Sequence, residues 1–490
     1  NIESNKKIFF GDLSLKLPID FKKDNFTGLE KLFRDVKGEP YSITVIEKIL
    51  DEIDLITITE QFESVKANVI EEVISDKINL IFQIEDTEKL FVEKINIFGN
   101  NITNENVIRN QLLLDEGDPY NQILSKKSIN NIKGLNFFKS VKSEILEGSN
   151  PETKILNIEV EEKATGEISA GAGVGTSGGT VMFGVKENNY LGKGIALNTN
   201  LGISDTKIKG LFSVTNPNFR NTDREINTTI ESSTLDYMTL SGYKSTRTGF
   251  SLGTSFEQYD DLFVSPKIST YYEKISTSSN ASENKQKQQG DYFETLFTYG
   301  LTVNKLNQNF QPSEGFRSTF SQTIPIYSAD DVTLEHVINA EKYLTYAENL
   351  VFSAKLYAKA VNSINEDVRV SKRAFIPSRR LRGFTAGKVG PIDGGEFIGG
   401  NYASALNLTT DLPIMNEVQS IDFNFFFDAA NVWGVDYSEL IDDSKLRTST
   451  GVGVDWFTPI GPLTMSLSIP LTKEHTDETE SLRFNIGTSF

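Results

Sequence analysis

A run of cations stands out in an acidic chain. Lys372, Arg373, Arg379, Arg380 and Arg382 fall in one stretch of a 490-residue protein with net charge -18. A guanidinium fork in such a stretch fits a carboxylate or a phosphate. One reading is a solvated loop touching lipid phosphates; the other is a bidentate pair in a confined space. The acidic balance argues against nucleic acid as a partner, because binding phosphate backbones needs a basic face. There is no cysteine, which excludes a thiolate zinc site, a disulfide framework and a cysteine nucleophile. The two histidines, His336 and His475, are far apart and have no ligand or triad spacing, so no metal, cofactor or catalytic set is expected. Gly171, Gly173 and Gly175 alternate with Ala170, Ala172 and Val174. A nucleotide loop would need a helix next and an acid placed for a ribose, and neither follows. The run reads instead as a strand weakened and bent by its glycines.

The elements that carry these residues fall into two styles, divided near Lys163. Before it, short alternating strands are separated by helical patterns. Gly38-Glu39-Pro40-Tyr41 returns as Gly117-Asp118-Pro119-Tyr120, with the same order of elements around each copy. Opening strands are expected at Lys7–Leu17 and Phe91–Phe98, and first helices at Phe26–Asp35 and Asn104–Leu114. Second helices follow at Thr44–Leu55 and Gln122–Leu135. Closing strand pairs are expected at Ser64–Ser75 with Lys77–Glu85, and at Phe138–Leu146 with Lys154–Glu161. Each unit is a β-α-α-β-β module of ~75–80 residues, enough for a small core.

From Gly166 the chain reads as roughly sixteen strands of ~10 residues, alternating in polarity between turn residues. Leu482, Phe484, Ile486, Thr488 and Phe490 face one way; Arg483, Asn485, Gly487 and Ser489 face the other. Short turns such as Leu191–Gly194 alternate with longer polar loops such as Ser278–Gly290. No run of ~18 apolar residues offers a helical membrane span. An even series of half-apolar strands favours a closed transmembrane barrel over a soluble sandwich, since closure removes the edges that lipid cannot satisfy.

Several motifs give this chain a family likeness. Leu381-Arg382-Gly383-Phe384 is followed by Phe426-Phe427-Asp428, Asn431-Val432-Trp433, Asp455-Trp456 and Ile460-Gly461-Pro462-Leu463. Phe137-Phe138-Lys139-Ser140-Val141, the turns Asn189–Gly194 and Thr215-Asn216-Pro217, and the terminal Phe490 add to it. In this order they resemble the BamA family of outer-membrane assembly proteins. The resemblance implies two POTRA domains, 1–88 and 89–164, followed by a 16-stranded antiparallel transmembrane β-barrel, 165–490, with further POTRA domains upstream. It also implies that the loop bearing Leu381, Arg382, Gly383 and Phe384 folds into the lumen. There Arg382 would pair with Asp428 on the inner wall, beside Phe426. A second wall acid of the family is matched here by Thr409, so the anchor is expected to differ.

By the same resemblance, the chain would fold and insert client β-barrel proteins through a lateral seam between its first and last strands. Gly171, Gly173, Gly175, Gly487 and Phe490 would form that seam. Expected partners are unfolded outer-membrane β-barrel clients, BamD-like periplasmic lipoproteins at Leu90–Lys163, and outer-membrane lipid. The POTRA domains would lie in the periplasm of a bacterium. The alternatives are a two-partner-type or TamA-like translocation barrel and a passive porin. The porin leaves the docking modules and the Arg-Gly-Phe loop without a purpose.

Overall fold

The computed structural model describes residues 9–18, 26–38, 45–46, 49–50, 52–53, 56, 65–74, 77–86, 90–176, 178–222, 224–308, 311–328, 332–347, 350–412, 421–438, 440–441, 444–458 and 461–487. Residues 39–41 of the first repeated turn, most of the helix expected at Thr44–Leu55, Ile460 and Phe490 lie outside these.

The chain divides into a unit of small sheets before Gly166 and a barrel from Gly166 onward. The first sheet holds β1 (Phe9–Lys16), β2 (Val65–Ile74) and β3 (Lys77–Asp86), in the order β1-β3-β2. The second holds β4 (Phe91–Phe98), β5 (Phe138–Glu147) and β6 (Thr153–Glu162), in the order β4-β6-β5. In each sheet the opening strand runs parallel to the central one and the middle strand antiparallel. One bond makes the repeat exact in kind. Gly38 N–H donates to the Phe10 carbonyl, and Gly117 N–H donates to that of Val92; each acceptor is the second residue of its opening strand.

Periodicity explains both cores. In α1 (Thr27–Val36), Leu29, Leu32 and Phe33 lie on one face. Phe33 stacks on Phe82 at 5.5 Å between centroids. On β3 every second residue, Ile78, Leu80, Phe82 and Ile84, is buried. Ile46, Ile49 and Ile53, in helical conformation, complete this core. On β6, Leu156, Ile158 and Val160 do the same against α3 (Gln122–Gly134). The helix expected over Asn104–Leu114 is shorter: α2 spans Glu105–Arg109. It stops because the Leu113 N–H turns to the Ser128 hydroxyl at 2.8 Å, while Gln111 and Leu112 make tighter turns.

Among the described residues, sixteen antiparallel strands close into a barrel, from β7 (Gly166–Gly175) and β8 (Gly178–Tyr190) round to β21 (Gly461–Thr472) and β22 (Leu482–Gly487). The large apolar side chains of alternate positions, such as Phe183, Val185, Phe250, Leu252, Leu408 and Leu467, are exposed on the outside. Serine, asparagine and charged residues, among them Ser449, Ser468, Asn424 and Asp428, are buried inside. Water does not sustain so continuous an apolar exterior, and a bilayer does. No helix among the described residues is long and apolar enough to cross a membrane.

Truncating the core of either module, by Phe82→Ala or Ile158→Ala, should destabilise that module by about 2–5 kcal/mol. Denaturant titration followed by module-resolved hydrogen exchange measures this. A loss below ~1 kcal/mol would contradict the packing described. A pH effect is expected at Glu93. The Thr153 hydroxyl, then the backbone and hydroxyl of Ser149, donate to its carboxylate and hold its pKa below the ordinary range. A lowered folded-state pKa stabilises the module at neutral pH, and this is lost as pH falls through that value. Glu93→Gln should flatten this acid limb of the stability profile.

Candidate functional site

The site is built by the segment 364–401, which joins β17 (Leu350–Ser363) to β18 (Tyr402–Leu412). This long loop turns into the barrel and packs on its inner wall. Ala374, Ile376, Leu381, Phe384 and Val389 form a buried cluster with Ala403 and Ala405 of β18 and with Ala430 and Val432 of β19 (Ile421–Trp433). Alanines on those inward positions leave the width that the loop fills.

At its tip the loop meets the wall through charge. Arg382 donates Nε to Asp428 Oδ2 at 2.8 Å and Nη2 to Oδ1 at 2.7 Å, while its backbone N–H donates to Oδ2 at 3.0 Å. Asn407 Nδ2 adds a bond to Oδ1 at 2.7 Å from the directly opposed position on β18. Asp428 has no exposed surface. A carboxylate so placed loses its hydration, and four donors replace it. The guanidinium also lies 3.4 Å from the centroid of the Phe426 ring, a cation–π contact with a fully buried ring. Gly383 takes φ +88° there, and a Cβ on it would meet Ser449 Cβ at 3.2 Å and Ser468 Cβ at 3.4 Å. Both the backbone region and the close approach call for glycine. Thr409 faces Phe426 in register; Asn407, one inward position earlier, makes the bond to Asp428.

Beyond Lys372 and Arg373 of the basic run, sequence reading did not single out the residues that hold the rest of the loop. Arg369 donates to Glu273 at 3.2 Å and to Glu294 at 2.8 Å; Arg247 and Lys372 reach Glu294 at 2.9 and 2.7 Å. These carboxylates stand on the inner faces of β13 (Leu262–Thr277) and β14 (Gly290–Asn304). Arg373 pairs with Asp436 at 3.1 Å, and Lys285 is paired with Glu396. Tyr437 donates to Asp393 at 2.9 Å. Burial, then that bond, raises its phenol above the ordinary range. Both strands carry other charges, Lys267 and Lys274 on β13 and Asp291 on β14, so no charge pattern singled out Glu273 and Glu294. The basic run is therefore mostly paired within the barrel. Arg379, Arg380 and Arg382, with Lys355, Asp411 and Asp455, line a cavity of about 1080 Å³.

The candidate seam lies elsewhere on the wall. Among the described residues, β22 and β7 are in register at Asn485↔Gly175, Ile486↔Val174 and Gly487↔Gly173. Gly171 lies further along β7, opposite Met182 of β8. A Cβ on Gly175 would fall 2.6 Å from the Phe484 carbonyl oxygen, so the backbones approach closely at this point.

Asp428→Asn should release the loop tip, because Arg382 keeps its charge and loses its counter-ion. Breaking a buried pair from one side costs about 3–5 kcal/mol. Limited proteolysis of the barrel in lipid should then cut within 364–401, with the folded barrel retained. Protection equal to the parent protein would refute the anchor.

With this geometry established, comparison places the chain among known proteins. Residues 189–490 match the Omp85 superfamily domain, and residues 90–163 match the POTRA model described as a surface antigen variable number repeat. Outer membrane protein assembly factor BamA of Neorickettsia risticii is 25% identical over 94% of this chain and 64% of its own length. BamA of Neisseria meningitidis is 22% identical, with the same coverage. The chain thus spans 64% of the length of these curated relatives. The crystal structure of BamA from Haemophilus ducreyi lacking POTRA domains 1–3 superposes with a TM-score of 0.73 at 20% identity, covering 99% of this chain and 100% of that one. That likeness is one of fold. A POTRA-bearing barrel of this kind is an outer-membrane protein with its POTRA domains in the periplasm. By the match over most of its length, the chain belongs to the Omp85 superfamily.

Proposed function

We propose that this chain assembles other β-barrel proteins into the outer membrane, by offering client strands an edge opened between β7 and β22. The observation that carries this reading is the composition of the closure. Gly487 faces Gly173, and Asn485 faces Gly175. Cross-strand side-chain pairs stabilise antiparallel sheets, and glycine has no side chain to contribute. Separating the two strands exposes N–H and C=O groups that lipid cannot satisfy. An unfolded outer-membrane β-barrel client supplies the missing partner by β-augmentation. The work comes from folding of the client and burial of its apolar face in lipid, with no catalytic chemistry by this chain. The names of the curated relatives, outer membrane protein assembly factors, agree with this role.

The periplasmic modules, 1–88 and 89–164, would receive clients, and Leu90–Lys163 would also dock a BamD-like lipoprotein. A passive porin needs a water path through the lumen, where Leu381, Arg382 and Phe384 instead pack against the wall. Secretion of one dedicated partner is separated from general assembly by which proteins disappear when this chain is depleted from cells.

The direct test uses the absence of cysteine from these 490 residues. Val174→Cys and Ile486→Cys are opposed across the closure. In the full-length protein with its native partners in proteoliposomes, oxidation of this pair should lower client insertion at least about tenfold, and reductant should restore it. Undiminished insertion by the oxidised form would sink the seam mechanism.

A further inference from the structure

We propose that Arg483 is a positioning residue that straps the last strand to the long loop, so that seating of the loop and closure of the barrel are one event. Among the described residues of β21 and β22, Arg483 alone is charged. It points inward with Asn485 and Gly487, and its side chain is 14% exposed. Nη1 donates to the Ser378 carbonyl and Nη2 to the Phe384 carbonyl. Nε donates to the Glu480 carboxylate at 3.1 Å, which fixes the plane of the fork. The two gripped carbonyls bracket Leu381, Arg382 and Gly383, the segment tied to Asp428.

The chain leading into β22 runs along the same stretch of loop. Thr385 N–H donates to the Glu478 carbonyl at 2.9 Å, Glu478 N–H to that of Lys388 at 3.1 Å, and Glu480 N–H to that of Gly383 at 3.1 Å. Phe384 and Thr479 are paired as an isolated bridge. On one side β22 thus meets Gly173, Val174 and Gly175 of β7; from within it is held by backbone bonds and a charge-assisted fork. For β22 to swing away from β7 with the loop seated, Arg483 must release both carbonyls. Removal of Asp428 frees the carbonyls themselves. The coupling is reciprocal, as any linkage between two sites must be.

Its bearing on client assembly rests on the function proposed above, but the strap is measured without a client. Failure of the oxidised-seam assay would leave it untouched. The measurement is hydrogen–deuterium exchange on the purified whole chain in lipid nanodiscs. In Arg483→Gln, amides of residues 482–487 should exchange about tenfold faster or more, while residues 243–304 on the far wall keep their parental rates. Arg483→Lys, which keeps the charge and loses the fork, should recover part of the protection. Asp428→Asn should accelerate the same 482–487 amides. Unchanged exchange there in Arg483→Gln overturns the strap, as does equal acceleration over 243–304. Acceleration confined to the loop in Asp428→Asn overturns the coupling. If Arg483→Gln yields no barrel, Glu480→Gln carries the test: a several-fold rise at 482–487 supports the strap, and no rise overturns it.

Discussion

A carboxylate shut away from water sets the terms for this barrel. Asp428 is fully buried on the inner wall, where an unpaired ion would be penalised by several kcal/mol even after relaxation. Its donors on the loop, the backbone N–H and the guanidinium of Arg382, lie 46 residues away in sequence. The long loop therefore has to enter the lumen. Its entry in turn requires Ala403, Ala405 and Ala430 on the wall to be small, and Gly383 to adopt its positive φ beside Ser449 and Ser468. The surrounding residue types follow from satisfying one charge.

The same logic, repeated, gives the lumen its character. Glu273 and Glu294 are almost without solvent exposure, and Arg369, Arg247 and Lys372 converge on them. Such networks add less stability than apolar packing of equal volume would. What they add is geometry, because a forked guanidinium accepts few arrangements. The loop is thereby fixed at the β13–β14 wall near Arg369 and at the β19 wall through Arg382. The inverted distribution, polar within and apolar without, also accounts for a mean hydropathy of -0.29 in a membrane protein. Lipid-facing residues occupy only alternate positions on the barrel strands, and the POTRA modules add polar surface.

Much of this architecture was legible because it rests on local periodicity. Alternation marked β3, β6 and β22, and i, i+3, i+4 spacing marked α1. The return of Gly-acid-Pro-Tyr marked the repeated module, whose structural signature is the shared bond from Gly38 and Gly117 to the opening strand. The length of α2 was not legible, since Ser128, on another helix, captures the Leu113 N–H. The carboxylates that receive Arg369 were equally hidden. Nothing within a strand tells Glu294 which of several distant cations will reach it. The pairing of Arg382 with Asp428 came from family resemblance; the basic run by itself left a solvated loop touching lipid phosphates as an alternative.

The wall and the closure are held in different ways. Along β12 (Tyr243–Tyr259) and β13, opposed residues include Gly249 with Tyr271, whose ring covers the glycine, and Phe250 with Thr270. Behind them, Ser245 is bonded to Glu273 and Arg247 lies over Tyr271. Cross-strand packing and lumen charges there reinforce each other. At β22 and β7 the opposed residues are Gly487 with Gly173, Asn485 with Gly175 and Ile486 with Val174, so among the described residues one pair alone brings side chains together from both strands. An edge open to lipid would leave a row of unsatisfied backbone groups, which a bilayer does not tolerate. A barrel with so weak a closure therefore needs a restraint from another direction. The long loop lies against the inner side of β22, and its own position is fixed by Asp428. In the strap proposed here, restraint of the edge depends on a buried ion pair as well as on the strands that meet there. Such an arrangement would suit the opening and closing proposed for this edge.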